Sequence, residues 1–240
     1  MPFASKIRSS NLTASILSLA LTLALTACTS ASNPTPQPSQ TQPTVTQTKP
    51  SDLTAPTPTA TGKPFDFYLL TLSWSPEYCA THSSSPECPS HPGFVVHGLW
   101  PQNNNGSYPQ NCGSRPGPTS DSVWQGLMPT QQLALHEWQT HGVCTPYDAD
   151  TYFGLIRKAF GEVQIPPAFT NTTQQTMEPP ASIIAQFATI NTGFPAGSIA
   201  LSCGNNYLTA MQFCLDKNLN PIACSGIRTC RANQVKITPQ

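Results

Sequence analysis

Eight of the chain's nine cysteines lie between Cys79 and Cys230, and any fold has to bring them together in pairs or leave reactive thiols behind. An even number in an exported domain reads as a disulfide framework, which ties distant backbone positions together irrespective of the core. Eight cysteines permit about a hundred pairings, and their spacing alone does not choose among them. No paired Cys-x-x-Cys spacing is present, so a cysteine-held metal is the weaker alternative.

The ninth cysteine belongs to a different kind of segment. Residues 1–28 carry Lys6 and Arg8, then an apolar run from Leu12 to Ala27 broken only by Ser and Thr, with no acidic residue. This is the pattern of a secretory signal, too short and too lightly flanked for a membrane-spanning helix. Leu25-Thr26-Ala27-Cys28 resembles a bacterial lipobox, which implies lipidation of Cys28 and membrane contact through that anchor, in the cell envelope or periplasm or at the cell surface. Ordinary cleavage near Ala31, giving a secreted soluble product, is the alternative. From Thr29 to Lys63, 25 of 35 residues are Pro, Thr, Ser or Gln, and Val45 and Leu53 are the only larger aliphatics. Such a stretch cannot bury enough apolar surface to offset its ordering entropy, so residues 29–63 are expected to be a disordered tether.

Residues 64–240 remain as one folded unit, long enough for a substantial core. It holds seven Lys and Arg against ten Asp and Glu, about three net negative charges. A protein gripping duplex nucleic acid by its phosphates would be basic, so charge alone favours a substrate other than nucleic acid. Pattern predicts strands over 65–74 and 93–100, the second ended by Pro101, and a helix capped by Thr130 and stopped by Gly142. Helices over 148–160 and 181–188 and strands over 199–202, 207–214 and 235–237 complete an α+β fold with a central antiparallel sheet and flanking helices. Trp74, Trp124 and Trp138 read as core, and His82 and His91 as solvated.

Three of the five histidines fall in two short segments, Val95-Val96-His97-Gly98-Leu99-Trp100-Pro101-Gln102 and His136-Glu137-Trp138-Gln139-Thr140-His141-Gly142-Val143-Cys144. The second resembles the zinc-binding His-Glu-x-x-His signature but is spaced differently. A shared metal needs histidines at i and i+4, about 40° apart around a helix, whereas His136 and His141 are at i and i+5, about 140° apart. Glu137 and His141 are the i, i+4 pair, placing a carboxylate beside one ring. Imidazole can serve as acid or base near neutrality, so the segments suit proton transfer without a metal or cofactor.

Together the two segments resemble the signature motifs of the ribonuclease T2 family, over residues 94–101 and 136–144. The resemblance implies cleavage of single-stranded RNA by its own 2′-hydroxyl through a 2′,3′-cyclic phosphate, by a monomer. It implies that His141 is the base, His97 the acid, His136 a phosphate ligand and Glu137 the group that orients them. Trp100 and Tyr108 stand where the family stacks a base, and Gln102 lies between them at a position that is acidic in adenine-preferring members. Ser73 and Leu133 stand where members contact a second base. The implied disulfides are Cys79–Cys88, Cys112–Cys144, Cys203–Cys230 and Cys214–Cys224. One departure stands out: Thr140 occupies the position of a family lysine. The rival reading is a lipid-anchored binding module that keeps the fold without catalysis.

Overall fold

The computed structural model describes residues 62–90 and 92–240. The export signal, Cys28, His91 and all of the tether except Gly62 and Lys63 lie outside the described residues. The chain is already docked at Lys63, whose amide donates to the Cys144 carbonyl at 3.0 Å.

The centre of the domain is strand β1 (Phe67–Trp74), which pairs antiparallel with β2 (Phe94–Gln102) on one side and β5 (Tyr207–Leu215) on the other. Strand β4 (Ile199–Gly204) pairs antiparallel with β5, while β6 (Val235–Ile237) meets β5 through one parallel bridge and β3 (Thr176–Glu178) antiparallel. The expected antiparallel sheet is therefore mixed at this one bridge. β1 is apolar on its main-core face and, at Phe67 and Leu69, on the other, which carries Thr71 and Ser73 further along. Tyr68, Leu70, Leu72 and Trp74 enter the main core, whereas Phe67 and Leu69 join Cys214 and Trp100 in a second small cluster.

Helices build the main core side. In α2 (Gln131–Thr140), Thr130 accepts the Leu133 amide at 3.1 Å, and Ala134, Glu137 and Trp138 form the buried stripe at helical spacing. In α3 (Ala149–Gly161), Asp148 caps the Thr151 amide at 2.8 Å, and Tyr152, Phe153 and Ile156 are fully buried. Helix α4 (Pro180–Ile190) adds Ile183 and Phe187 to the same core. Trp74, Trp124 and Trp138 are all buried, and His82 is exposed, stacked on Tyr78.

Four details differ from the sequence expectation. Pro101 does not end β2: it pairs with Tyr68 and the strand continues to Gln102. β2 lies at the sheet edge, where a residue lacking an N–H costs no interstrand bond. Directly after β1 comes helix α1 (Ser75–Thr81), which the pattern does not predict; Pro76 sits in its first turn, where its fixed backbone angle suits the helix. The three-residue strand β3 carries too little pattern to be seen in sequence. Gly142 is not a left-handed stop either. The helix ends at Thr140, His141 caps it, and the chain runs into a one-turn 3-10 helix over Gly142–Cys144. Glycine is required there because a Cβ would collide with the Trp138 ring and lie 2.9 Å from that of Tyr152.

Disulfides join Cys79 to Cys88, Cys112 to Cys144, Cys203 to Cys230 and Cys214 to Cys224. The second fastens the end of the α2 segment to the preceding loop. The last two pin the C-terminal segment to β4 and β5.

Candidate active site

β1 and β2 are out of step at one point. Thr71 faces Gly98 and Leu72 faces Val96, which leaves His97 as an extra residue on β2. Val96 and Leu99 turn into the main core, and a regular strand could not bury both while presenting His97 and Trp100 to the opposite face. The bulge makes that possible. His97 is then fixed by Ser73, whose Oγ lies 2.7 Å from its Nδ1.

Helix α2 supplies the other half. Glu137, only 1% exposed, faces β2; its Oε2 accepts the Trp100 indole N–H at 2.6 Å and its Oε1 lies 3.3 Å from His97 Nε2. The approach depends on Gly98, where a Cβ would overlap Glu137 Oε2 and stand 2.6 Å from Trp100 Nε1. One buried carboxylate thus locks a tryptophan and stands beside a histidine, so that β2 and α2 have a fixed relation.

His141, at the end of α2, is buried with its ring 5.2 Å from Trp100 and 6.4 Å from Tyr108, and its Nδ1 has no partner. Burial is the main cause that pushes its pKa from the ordinary 6.5 down to about 4. Glu137 opposes the shift, and His136 and His97 reinforce it. The ring is neutral at pH 7, as a proton acceptor must be. The depressed value also ties folding to pH. The unfolded chain takes up a proton on this residue near pH 6.5 and the folded one only near pH 4, so its contribution is complete above 6.5 and falls away as pH drops to 4. Over that window His141 should cost about 3 kcal/mol of stability. Denaturant unfolding at pH 7.0 and 4.0 should show a loss of this order that is absent in His141→Asn; an equal loss in both chains would contradict the shift.

His136, on the next face of α2, is exposed and lies where two hollows meet. The first, about 610 Å³, also holds Ser73, Tyr78, His97 and Leu133. The second, about 700 Å³, holds Trp100, Gln102, Tyr108, Thr140, His141 and Arg228. Residues from the two sequence segments are thus brought together, with His97 lining the first hollow, His141 the second and His136 both. Tyr108 is 49% exposed with its ring free, Gln102 is buried at 4%, and Thr140 is half-buried. No sequence pattern points to Tyr78 or Arg228. Tyr78 comes from the unforeseen helix α1, and Arg228 from a segment more than eighty residues beyond the motifs; its position between Cys224 and Cys230 was the one available signal.

Three imidazoles, one of them beside a buried carboxylate, line an open cleft on a disulfide-bonded α+β fold, an arrangement able to transfer protons. The chain belongs to the ribonuclease T2 family, whose model matches residues 65–224. It is 45% identical over 83 residues to a ribonuclease of Aeromonas hydrophila, covering 34% of this chain and 38% of that protein. It is 34% identical over 122 residues to a probable ribonuclease of Haemophilus influenzae, covering 43% and 45%. The chain thus spans less than half the length of these two relatives. Among solved structures, RNase NT in complex with 5′-AMP shares the fold at a TM-score of 0.58 and 20% identity, over 74% of this chain and 100% of that one. A variant of RNase MC1 in complex with 5′-UMP does so at 0.57 and 22%, over 71% and 97%.

Proposed function

We propose that the domain is an endoribonuclease that cleaves single-stranded RNA by transesterification and needs no metal. The observation that carries this is the division of labour among the imidazoles: His141 is buried and neutral, while His97 stands against the Glu137 carboxylate across the same cleft. His141 takes the proton of the ribose 2′-hydroxyl, and the oxygen attacks phosphorus. His97 gives a proton to the departing 5′-oxygen, leaving a 2′,3′-cyclic phosphate. Water then opens the ring to a 3′-phosphate with the two roles reversed. His136 faces the phosphoryl oxygens from the junction of the hollows, and Glu137 holds the pair in place. A nucleobase on the 5′ side lies against Trp100 and the free face of Tyr108, with Gln102 giving little purine selection. The next base enters the hollow of Ser73 and Leu133, which resembles the family's arrangement. Two structural neighbours are complexes with 5′-AMP and 5′-UMP, which supports a nucleotide ligand for this fold.

The test is incubation of dinucleoside monophosphates with the protein in chelator. A cyclic phosphate released from ribo- but not 2′-deoxy substrates is the expected result, because DNA lacks the nucleophile. No release would favour a binding module, and release only after zinc is added would favour a metallohydrolase.

Thr140 offers a hydroxyl where a cation would stabilise the charged phosphorane, so contacts from His136 carry more of that stabilisation. Thr140→Lys should raise kcat by roughly tenfold or more, since one preorganised charge is typically worth a few kcal/mol of barrier. An unchanged or lower kcat would count against this role for position 140.

We further propose that the domain works outside the cytoplasm as a monomer, held to a membrane surface by lipid on Cys28 and kept clear of it by the tether of residues 29–63. The lipobox-like end of the signal and four disulfides support the export reading. Among the described residues no helix is long and apolar enough to cross a membrane.

A further inference from the structure

The loop between Cys224 and Cys230 is built into the wall of the second hollow. Its two ends are tied by disulfides to β5 through Cys214 and to β4 through Cys203. The Cys230 amide donates to the Leu201 carbonyl at 2.7 Å, and Ser225 Oγ donates to the Asn104 carbonyl at 3.1 Å. Gly226, at φ +69°, lies so close to the loop preceding Tyr108 that a Cβ there would stand 2.5 Å from the Gly106 amide nitrogen. Ile227 packs into the small apolar cluster that includes Trp100. The loop's ends are therefore fastened to β4 and β5, while Ser225, Gly226 and Ile227 hold its middle against the loop before Tyr108 and the cluster that includes Trp100.

Arg228 follows directly and lines the hollow with Trp100, Tyr108, Thr140 and His141. Of the described residues lining either hollow, it bears the only permanent positive charge. The one ion pair among the described residues is His97 with Glu137, so Arg228 is not neutralised by a carboxylate. The domain as a whole is acidic, so a polyanion gains little from it elsewhere. A fork of guanidinium donors on a braced loop suits one partner chemistry above others, the phosphate oxygens of a nucleic-acid backbone.

We propose that Arg228 is a substrate-binding residue that holds a backbone phosphate of the RNA strand while its base rests against Trp100 and Tyr108. This rests on the ribonuclease reading given above and adds to it a phosphate contact from the C-terminal segment, outside both histidine motifs.

The test compares the full chain with its Arg228→Ala and Arg228→Lys variants. The substrates are a dinucleoside monophosphate, which carries only the scissile phosphate, and the same compound bearing a 5′-phosphate, each over a range of salt. Arg228→Ala should lower kcat/KM by roughly 10- to 100-fold on at least one substrate, the size expected for a lost charged hydrogen bond. It should also flatten the log–log salt dependence by about 0.7, as one phosphate contact fewer on a single strand requires. Arg228→Lys should restore the salt slope and part of the rate. A loss on both substrates assigns the contact to the scissile phosphate, and a loss only on the 5′-phosphorylated one assigns it to the upstream phosphate. Unchanged kcat/KM on both overturns the proposal, and so does a loss with an unchanged salt slope, which a merely structural arginine would give. Should Arg228→Ala not fold, the lysine variant and Arg228→Gln carry the same comparison. A wild-type chain that cleaves no RNA defeats the ribonuclease reading, whereas an active wild type with an indifferent Arg228→Ala defeats this inference alone.

Discussion

Replacing His141 with asparagine is expected to lower kcat/KM on dinucleoside monophosphates by roughly 10²- to 10⁴-fold, the usual contribution of a positioned general base. Asparagine keeps a polar group beside Trp100 but cannot accept the 2′-proton. The pH profile separates this from a packing defect. With the wild-type ring protonating at about pH 4, the acid limb of kcat/KM should fall near that value, well below that of an ordinary histidine. His141→Asn should lose the limb along with the rate. Because His97 and His141 act on one transition state, the double variant His97→Ala/His141→Asn should be scarcely slower than the worse single one. A limb that stays at pH 4 in His141→Asn, or a rate loss of less than about tenfold, would remove His141 from the base role.

Gly98→Ala is the second large effect, and it involves no titratable group. The added methyl occupies the space of Glu137 Oε2 and stands 2.6 Å from Trp100 Nε1, so carboxylate and indole cannot keep their 2.6 Å hydrogen bond. β2 has little freedom to yield because Leu99 is buried in the core and its carbonyl accepts the Tyr152 hydroxyl at 2.9 Å. Glu137 must therefore move, and His97 loses its brace. A displacement of about 1 Å among reacting groups can cost on the order of 10² in rate, and overpacking about 1–3 kcal/mol in stability. The expected result is a folded, less stable protein with kcat reduced roughly 100-fold and disulfides intact. Near-wild-type turnover in Gly98→Ala would show that the close approach of Glu137 is dispensable.

What could be read in the sequence depended on how local the cause was. The Thr130 cap, the helix it opens and the apolar β1 run are set by neighbours a few residues apart, and they appear at the expected places. The two histidine segments could be paired in advance because each carries its own motif. The bulge at His97 could not be seen, since it exists only in the register of β2 against β1. The same holds for Pro101, which is tolerated because nothing pairs on its outer side, and for Gly142, whose smallness answers to Trp138 and Tyr152 rather than to backbone angle. Arg228 and Tyr78 enter the cleft from remote parts of the chain, where no pattern points to it. The burial that depresses His141 is likewise a product of packing, whereas its sequence context shows only its motif and its i, i+4 relation to Glu137.

His97 is the residue the β1–β2 ladder skips, and this makes the site sensitive to counting. If a single residue were lost from β2 at that point, the two strands could pair without interruption and the sheet, its core and its disulfides would have no reason to change. The histidine's place would be taken by its neighbour, and the cleft would lose one proton carrier. Within this architecture an inert relative is one deleted codon away from a working one, and the fold alone would not tell the two apart.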